Sequence, residues 1–168
     1  AGMKITTYTK KEGLPSDYIT SVFAAEDGRV WIGTETGLGI MENASCVVYN
    51  YRNSKLVSDY VTCIEKAFYG NIVIATDKGI NLHDSKGFLP LPALLSGLNG
   101  RLIWSLNYSA VADVNYSQLW LGTRGFGLYS YKVAKDVKEN QQEDLTKLAV
   151  DNFNKQLYEQ SVKNWDDV

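Results

Sequence analysis

Side chains capable of acid–base, nucleophilic or metal chemistry are few and scattered in this sequence. It has one histidine, His83, and two cysteines, Cys46 and Cys63, which do not form the clusters that metal ligation requires. The acidic residues Glu35 and Asp77 occupy equivalent predicted turns and could form a carboxylate pair for glycosidic chemistry. Acidic turn residues are more commonly solvated. We therefore predict no metal, no cofactor and no enzymatic activity, with a glycan lyase or hydrolase as the weaker alternative.

Composition predicts a folded protein and excludes several classes of partner. Of the 168 residues, 45% are hydrophobic and 21% are charged, which is too apolar for a disordered chain. The 17 basic and 19 acidic residues give a net charge of −2, so no basic field is available for a nucleic-acid backbone. No apolar run reaches the length of about 18 residues that a membrane-spanning helix needs. We expect no nucleic-acid partner and no membrane span in this chain.

Neither the cysteines nor the first residues determine the cellular compartment. Cys46 and Cys63 are compatible with one disulfide or with two small, separately buried hydrophobic side chains. The chain opens with Ala1-Gly2-Met3 and lacks the basic stretch and apolar core of a signal peptide. The compartment therefore has to be inferred from other features.

A compositional boundary lies near residue 132. Residues 1–131 contain every glycine and balanced charge, whereas residues 132–168 contain no glycine and a small acidic excess. Apolar residues of the tail recur at steps of four, at Leu145, Ala149, Phe153 and Leu157. This spacing predicts a C-terminal α-helix over about 142–163. The helix either packs on the first part of the chain or links it to a partner.

The first part of the chain repeats itself. Three segments that begin at Gly13, Lys55 and Gly97 align, and their starts are 42 residues apart both times. A second matching block follows each of them, at residues 28–41, 70–83 and 117–131. A period of this length is typical of propeller blades that each contain four short antiparallel strands.

Each repeat is expected to consist of strands. In the first copy, β-branched and aromatic residues predict strands at 19–24, 30–34, 38–41 and 46–51. Turn signals at Gly28 and Gly37 separate the first three of them. The predicted fold is all-β, with three four-stranded β-propeller blades in residues 1–131 and the helical tail in residues 132–168.

The residues of the first copy carry a family resemblance. GLPSDYITS followed by EDGRVWIGTETGLGIM resembles the two-component regulator propeller repeat. The second copy departs from that pattern at Val73 and Ala75, and the third lacks its proline and its Asp-x-x-Gly turn. The resemblance spans residues 4–131. It implies a propeller from the periplasmic or extracellular sensor region of a bacterial hybrid two-component protein, with carbohydrate or other polymer breakdown products as ligands.

Three blades do not close a ring, because closed propellers have about four to eight. A lone predicted strand at residues 3–8 precedes the first blade, and the third blade ends near residue 131 after only three strands. We predict that the strand at 3–8 completes the third blade of a second chain, which gives a six-bladed homodimer. An open arc of blades capped by the tail is the alternative.

One rim of the blades collects the residues predicted to bind a ligand, because loops before the innermost strands and turns after the second strands meet there. These residues are Asp17, Tyr18, Asp59, Tyr60, Arg101, Trp104 and Arg124, with Glu35 and Asp77 beside them. Aromatic faces next to planar hydrogen-bonding groups suit carbohydrate or small polar ligands. The alternative is that the three aromatic residues recur at one repeat position and pack within the blades. Trp31 and Trp120 are expected in the core.

Together these features predict a non-enzymatic ligand-recognition or sensor module. The alternative is a structural or assembly module that mediates protein–protein interaction through the propeller and the C-terminal helix.

Overall fold

Strands provide nearly all of the regular structure among the described residues. The computed structural model describes residue 2 and residues 5–84, 86–89, 97–98, 100–110 and 116–134. Within these ranges the strands form three antiparallel sheets, and short 3-10 turns occupy Lys10–Glu12 and Phe68–Gly70. The all-β prediction is confirmed for this part of the chain. The predicted helix at 142–163 lies outside the described residues.

The three sheets follow one another along the chain as antiparallel meanders. Sheet 1 contains β1 (Ile19–Ala24), β2 (Val30–Thr34), β3 (Gly37–Glu42) and β4 (Ser45–Tyr49). Sheet 2 contains β5 (Val61–Lys66), β6 (Ile72–Thr76), β7 (Gly79–His83) and β8 (Phe88–Leu89). Sheet 3 contains β9 (Ile103–Ser109), β10 (Tyr116–Thr123) and β11 (Leu128–Ala134).

A threonine closes the turn between the second and third strands of every sheet. The threonine Oγ1 donates a hydrogen bond to a glycine carbonyl at 2.7–2.9 Å in the pairs Thr34–Gly37, Thr76–Gly79 and Thr123–Gly127. Each of these glycines has a positive φ, which residues with a side chain rarely adopt. The threonine and glycine shared by the three copies therefore specify this turn.

Two buried layers join the sheets in the order 1–2–3. Between sheets 1 and 2 the layer contains Trp31, Leu38, Val61, Ile64 and Ile74. Between sheets 2 and 3 it contains Val73, Ala75, Ile80, Ile103, Leu119 and Leu121. The expected core position of Trp31 is confirmed. Because every sheet uses the same strand positions for these contacts, one packing geometry is repeated at both junctions.

Hydrogen bonds between the innermost strands reinforce both junctions. Thr20 Oγ1 donates to the carbonyl of Val61 at 2.6 Å, and Thr62 Oγ1 donates to the carbonyl of Ile103 at 2.5 Å. The two threonines are equivalent in the repeat. In sheets 1 and 2, a threonine on the first strand therefore donates to a backbone carbonyl on the first strand of the next sheet. These hydrogen bonds fix how neighbouring sheets are aligned along their strands.

The structure bears on the sequence-based expectations for Trp120, the N-terminal strand and the two cysteines. Trp120 is exposed rather than in the core, because it lies on the side of sheet 3 that faces away from sheet 2. Residues 5–8 pair with none of the described strands, so the predicted N-terminal strand is absent from the sheets of this chain; residues 3 and 4 lie outside the described part. Cys46 and Cys63 are free thiols, and burial raises the pKa of both.

Candidate binding site

One edge of the three sheets brings the predicted site residues together. The register pairs Ile19 with Thr34, and the equivalent pairs in the other sheets place the starts of β1, β5 and β9 beside the ends of β2, β6 and β10. We call this edge the rim; it comprises residues 16–18, 35–36, 58–60, 77–78, 100–102 and 124–126. The Gly100 N–H donates to the Lys78 carbonyl at 2.7 Å, which ties sheets 2 and 3 together at the rim.

The two predicted aspartates support the backbone at the rim. Asp17 Oδ1 accepts a hydrogen bond from the Lys10 N–H at 2.7 Å, and Asp59 Oδ1 accepts one from the Tyr51 N–H at 2.8 Å. Both carboxylates thus hold the segment that leads into their own sheet. This structural role accounts for the aspartate at this repeat position.

The three predicted aromatic residues are exposed, which contradicts the alternative that they pack within the blades. Tyr18 is 72% exposed, Trp104 is 60% exposed, and Tyr60 is also an exposed side chain. The strand register also corrects their equivalence. Ile103 aligns with Ile19, so Trp104 takes the position of the inner-strand threonines, not that of the tyrosines. All three aromatic surfaces remain available at or next to the rim.

Arg101 is held in place by aromatic side chains that sequence reasoning missed. Its guanidinium lies 4.5 Å from the ring centroid of Phe126 and 5.5 Å from that of Tyr129, and Nη1 donates to Tyr129 Oη. The signal that could have identified Phe126 is the one-residue insertion before Gly127 in the third copy. This insertion carries an exposed phenyl ring into the turn after β10.

The acidic and the guanidinium groups of the rim lie on different sheets. Asp17, Glu35, Asp59 and Asp77 lie on sheets 1 and 2, together with the exposed Lys78, whereas Arg101 and the exposed Arg124 lie on sheet 3. The Arg124 backbone N–H donates to the Leu102 carbonyl at 3.0 Å, so its turn is fixed while its side chain is exposed. The sheet 3 end therefore combines two guanidinium groups with exposed aromatic rings.

The two carboxylates that could support hydrolysis differ in their surroundings. Glu35 is exposed, with Oε1 3.5 Å from Ser16 Oγ. Asp77 is half-buried, and its Oδ1 has no hydrogen-bond partner. His83 lies away from the rim, on β7 opposite Ile72. Among the described residues, no group of three His, Cys, Asp or Glu side chains is placed to hold a metal ion.

The described residues contain no helix that is both long and apolar enough to cross a membrane. In sequence, the family model described as "Two component regulator propeller" matches residues 13–36. These residues run from the start of the first repeat to the turn after β2. No curated protein matches the chain.

Solved structures share the fold of this chain. The extracellular domain of BT3049 from B. thetaiotaomicron, a protein assigned as a hybrid two component system, aligns over 76% of this chain with a TM-score of 0.55 and 22% identity. The corresponding domain of BT4673 from the same organism aligns over 68% with a TM-score of 0.52 and 19% identity. The chain spans only 16% and 15% of those structures. A streptogramin B lyase aligns with a TM-score of 0.43 and 18% identity over 72% of this chain and 42% of the lyase, too weakly to support an inference.

Proposed function

The chain carries a two-component regulator propeller repeat, and from this premise we propose that it is a non-enzymatic, ligand-recognising sensor module that acts outside the cytoplasm. The two solved neighbours of similar fold are extracellular domains of proteins assigned as hybrid two component systems. That setting supports a periplasmic or extracellular location and a role in which ligand binding is passed on as a signal.

The observation that carries the proposal is the set of exposed aromatic side chains at and next to the rim. Exposing Tyr18 and Trp104 to water forgoes the free energy that burying large aromatic groups would provide. The exposed ring of Phe126, which lies beside the fixed guanidinium of Arg101, adds to these side chains, so the rim offers a ligand both apolar faces and polar groups.

Carbohydrate is the ligand class that fits this surface best. A sugar ring presents a C–H face that stacks on an aromatic side chain, while its hydroxyl groups accept hydrogen bonds from guanidinium N–H groups. Arg101 is restrained by Phe126 and Tyr129, so less side-chain entropy is lost when it binds a ligand. Arg124 adds a second guanidinium, and acidic sugars gain from both charges.

A thermal-shift screen with neutral and acidic oligosaccharides tests the proposal. We expect at least one oligosaccharide to raise the Tm, and we expect Arg101→Ala and Trp104→Ala to abolish that shift. Arg29→Ala is the matched control, because Arg29 also stacks on an aromatic ring, that of Trp31 at 5.6 Å, but lies at the opposite end of β2 from the rim. This control should keep the full shift.

Two results would contradict the proposal. If Arg101→Ala and Trp104→Ala retain the full shift, the ligand binds elsewhere than at the rim. If an oligosaccharide is cleaved by the protein, the module is an enzyme, and the rim carboxylates Glu35 and Asp77 become the first residues to substitute. The solution mass of each variant is measured in parallel, so that a change in association is not mistaken for loss of a ligand contact.

A further inference from the structure

The two ends of the row of sheets expose side chains whose equivalents are buried inside it. We call the side of sheet 3 that points away from sheet 2 the trailing face, and the side of sheet 1 that points away from sheet 2 the leading face. The register places Trp120 and Leu128 on the trailing face and Val22 on the leading face.

The trailing face has the residue pattern of a covered surface. Trp120 and Leu128 occupy the positions that Trp31 and Leu38 occupy in sheet 1. Sheet 2 covers Trp31 and Leu38 completely, whereas Leu128 is 67% exposed and Trp120 is also exposed. A tryptophan and a leucine side by side on an open sheet surface lose the burial that stabilises the same pair in sheet 1.

The leading face carries the complementary pattern. Val22 and Ile19 are equivalent to Ile64 and Val61 of sheet 2, which are buried in the layer that packs against Trp31. In sheet 1, Val22 is 63% exposed and Ile19 is also exposed. The trailing face thus exposes the side of a junction that contains the tryptophan, and the leading face exposes the side that packs against a tryptophan.

We propose that a second copy of this chain covers both faces, with sheet 3 of each copy packed on the leading face of the other. The contact continues the geometry that the chain already uses twice, between sheets 1 and 2 and between sheets 2 and 3. Each copy offers one face of each kind, and in the proposed dimer two copies related by a two-fold axis form a ring of six sheets that leaves neither face exposed. This arrangement does not require ligand recognition at the rim, but it brings the second copy next to Trp104, which is also proposed to contact the ligand.

Residues 5–8 provide the missing fourth strand of sheet 3. The bond from the Lys10 N–H to Asp17 repeats the bond from the Tyr51 N–H to Asp59, so residues 5–8 lead into sheet 1 as β4 leads into sheet 2. Within the described residues β11 is an edge strand, with β10 as its single neighbour. Pairing of residues 5–8 with β11 of the second copy gives sheet 3 the four strands that sheets 1 and 2 have.

The inner end of the new junction differs from the two inside the chain. At the two junctions inside the chain, Thr20 and Thr62 donate to a backbone carbonyl of the next sheet. In sheet 3 the equivalent position is occupied by Trp104. An aromatic side chain thus replaces a short hydroxyl where the two copies meet. This substitution distinguishes the junction between copies from the junctions within one chain.

Sedimentation velocity on the whole chain tests this inference. We expect a mass twice the 18.8 kDa of one chain. Leu128→Asp and Val22→Asp each place a carboxylate in the junction, and each variant should sediment as one chain at concentrations where the unmodified protein is fully associated. Val47→Asp is the matched control, because Val47 is 54% exposed on β4, outside both faces. This control should remain a dimer.

Mixing the two variants separates the proposed arrangement from a symmetric contact between two trailing faces. A mixed pair contains one unmodified junction, formed by the trailing face of the Val22→Asp copy and the leading face of the Leu128→Asp copy. We expect equimolar mixing to restore association. This also shows that both variants are folded.

Several outcomes would overturn the inference. A mass of one chain for the unmodified protein means that other residues of the chain or a different partner cover the two faces. A dimer that survives Leu128→Asp or Val22→Asp uses another surface. If the mixed variants, shown by circular dichroism to be folded, remain single chains, the head-to-tail contact is wrong.

Discussion

His83 is buried in an aromatic layer between sheets 1 and 2. Its ring centroid lies 4.8 Å from that of Trp31 and 4.9 Å from that of Phe88, both edge to face, and its Nδ1 has no hydrogen-bond partner. Burial lowers the pKa of the imidazole and outweighs the interaction with the Asp84 backbone, which raises it; the charges of Arg29 and Asp84 have smaller effects in opposite directions. The folded protein therefore favours neutral His83.

This preference makes the stability of the protein depend on pH. The unfolded chain takes up a proton at His83 near the ordinary pKa of about 6.5, whereas the folded chain does so only at lower pH. The free energy of unfolding should therefore be highest above pH 6.5 and fall on acidification, with a limiting slope of about 1.4 kcal/mol per pH unit. Urea denaturation at pH 7.5, 6.0 and 5.0 measures this slope.

His83→Phe is the control, because phenylalanine keeps an aromatic ring in the layer and removes the proton-binding group. Since the chain contains one histidine, the variant should lose most of the stability change between pH 7.5 and 5.0. Parallel pH profiles for the two proteins would show that His83 does not cause the change. The carboxylates with lowered pKa values, such as Asp27 and Asp84, act only at more acidic pH.

At the scale of elements, a glycine on β2 sets the distance between sheets 1 and 2. A Cβ at Gly33 would lie 2.7 Å from Val61 Cγ1 and 3.1 Å from Thr20 Oγ1. Val61 is completely buried, and Thr20 donates to its carbonyl, so neither neighbour can move without loss of packing or a hydrogen bond. Sheet 2 carries the small residue Ala75 at the equivalent position.

We expect Gly33→Ala to lower the free energy of unfolding by about 1–3 kcal/mol through overpacking. Gly97→Ala is the matched control, because a Cβ at Gly97 meets nothing within 4 Å and its φ is not positive. This control should change the free energy by less than about 0.5 kcal/mol. Urea denaturation at neutral pH compares the variants. If Gly33→Ala and the unmodified protein have the same urea midpoint, the two sheets accommodate the added Cβ without loss of stability, and the prediction is wrong.

The strands were predictable because each depends on local sequence. The predicted and observed bounds agree for β1 and β2, and those of β3 and β4 differ by at most two residues, since side-chain alternation and turn glycines identify them. Residues 5–8 of the strand predicted at 3–8 pair with none of the described strands, although their local pattern is that of a strand. Local pattern predicts an element, whereas its partner depends on the whole assembly.

The candidate site was predictable in place but not in the role of each side chain. The repeat brings Asp17 and Tyr18 to the same edge, yet the structure uses Asp17 to hold backbone and leaves Tyr18 exposed. Residue type does not distinguish these roles, because both side chains are polar enough for solvent and large enough to pack. The exposure of Trp120, expected in the core, likewise depends on which sheet covers it.

At the scale of the whole molecule, the sheets are unequal because, among the described residues, only sheet 2 has another sheet packed on each of its two faces. All five residues of β6 are buried, and β6 has a hydrogen-bonded strand on each side. By contrast, β4 is an edge strand with partly exposed side chains. Amides exchange from states in which local structure opens, and a strand covered on both faces opens only with much of the molecule.

Hydrogen exchange followed by mass spectrometry should therefore rank the strands. We expect the amides of β6 to exchange about tenfold or more slowly than those of β4. In the monomeric Val22→Asp variant the ratio of the β6 and β4 exchange rates should persist, since β6 is buried by sheets 1 and 3 of its own chain. The protection of β1 should fall, because the leading face becomes exposed. If β6 loses protection together with β1, the three sheets depend on the second copy for their folding. Equal exchange of β6 and β4 in the unmodified protein would contradict the layered burial from which the ranking follows.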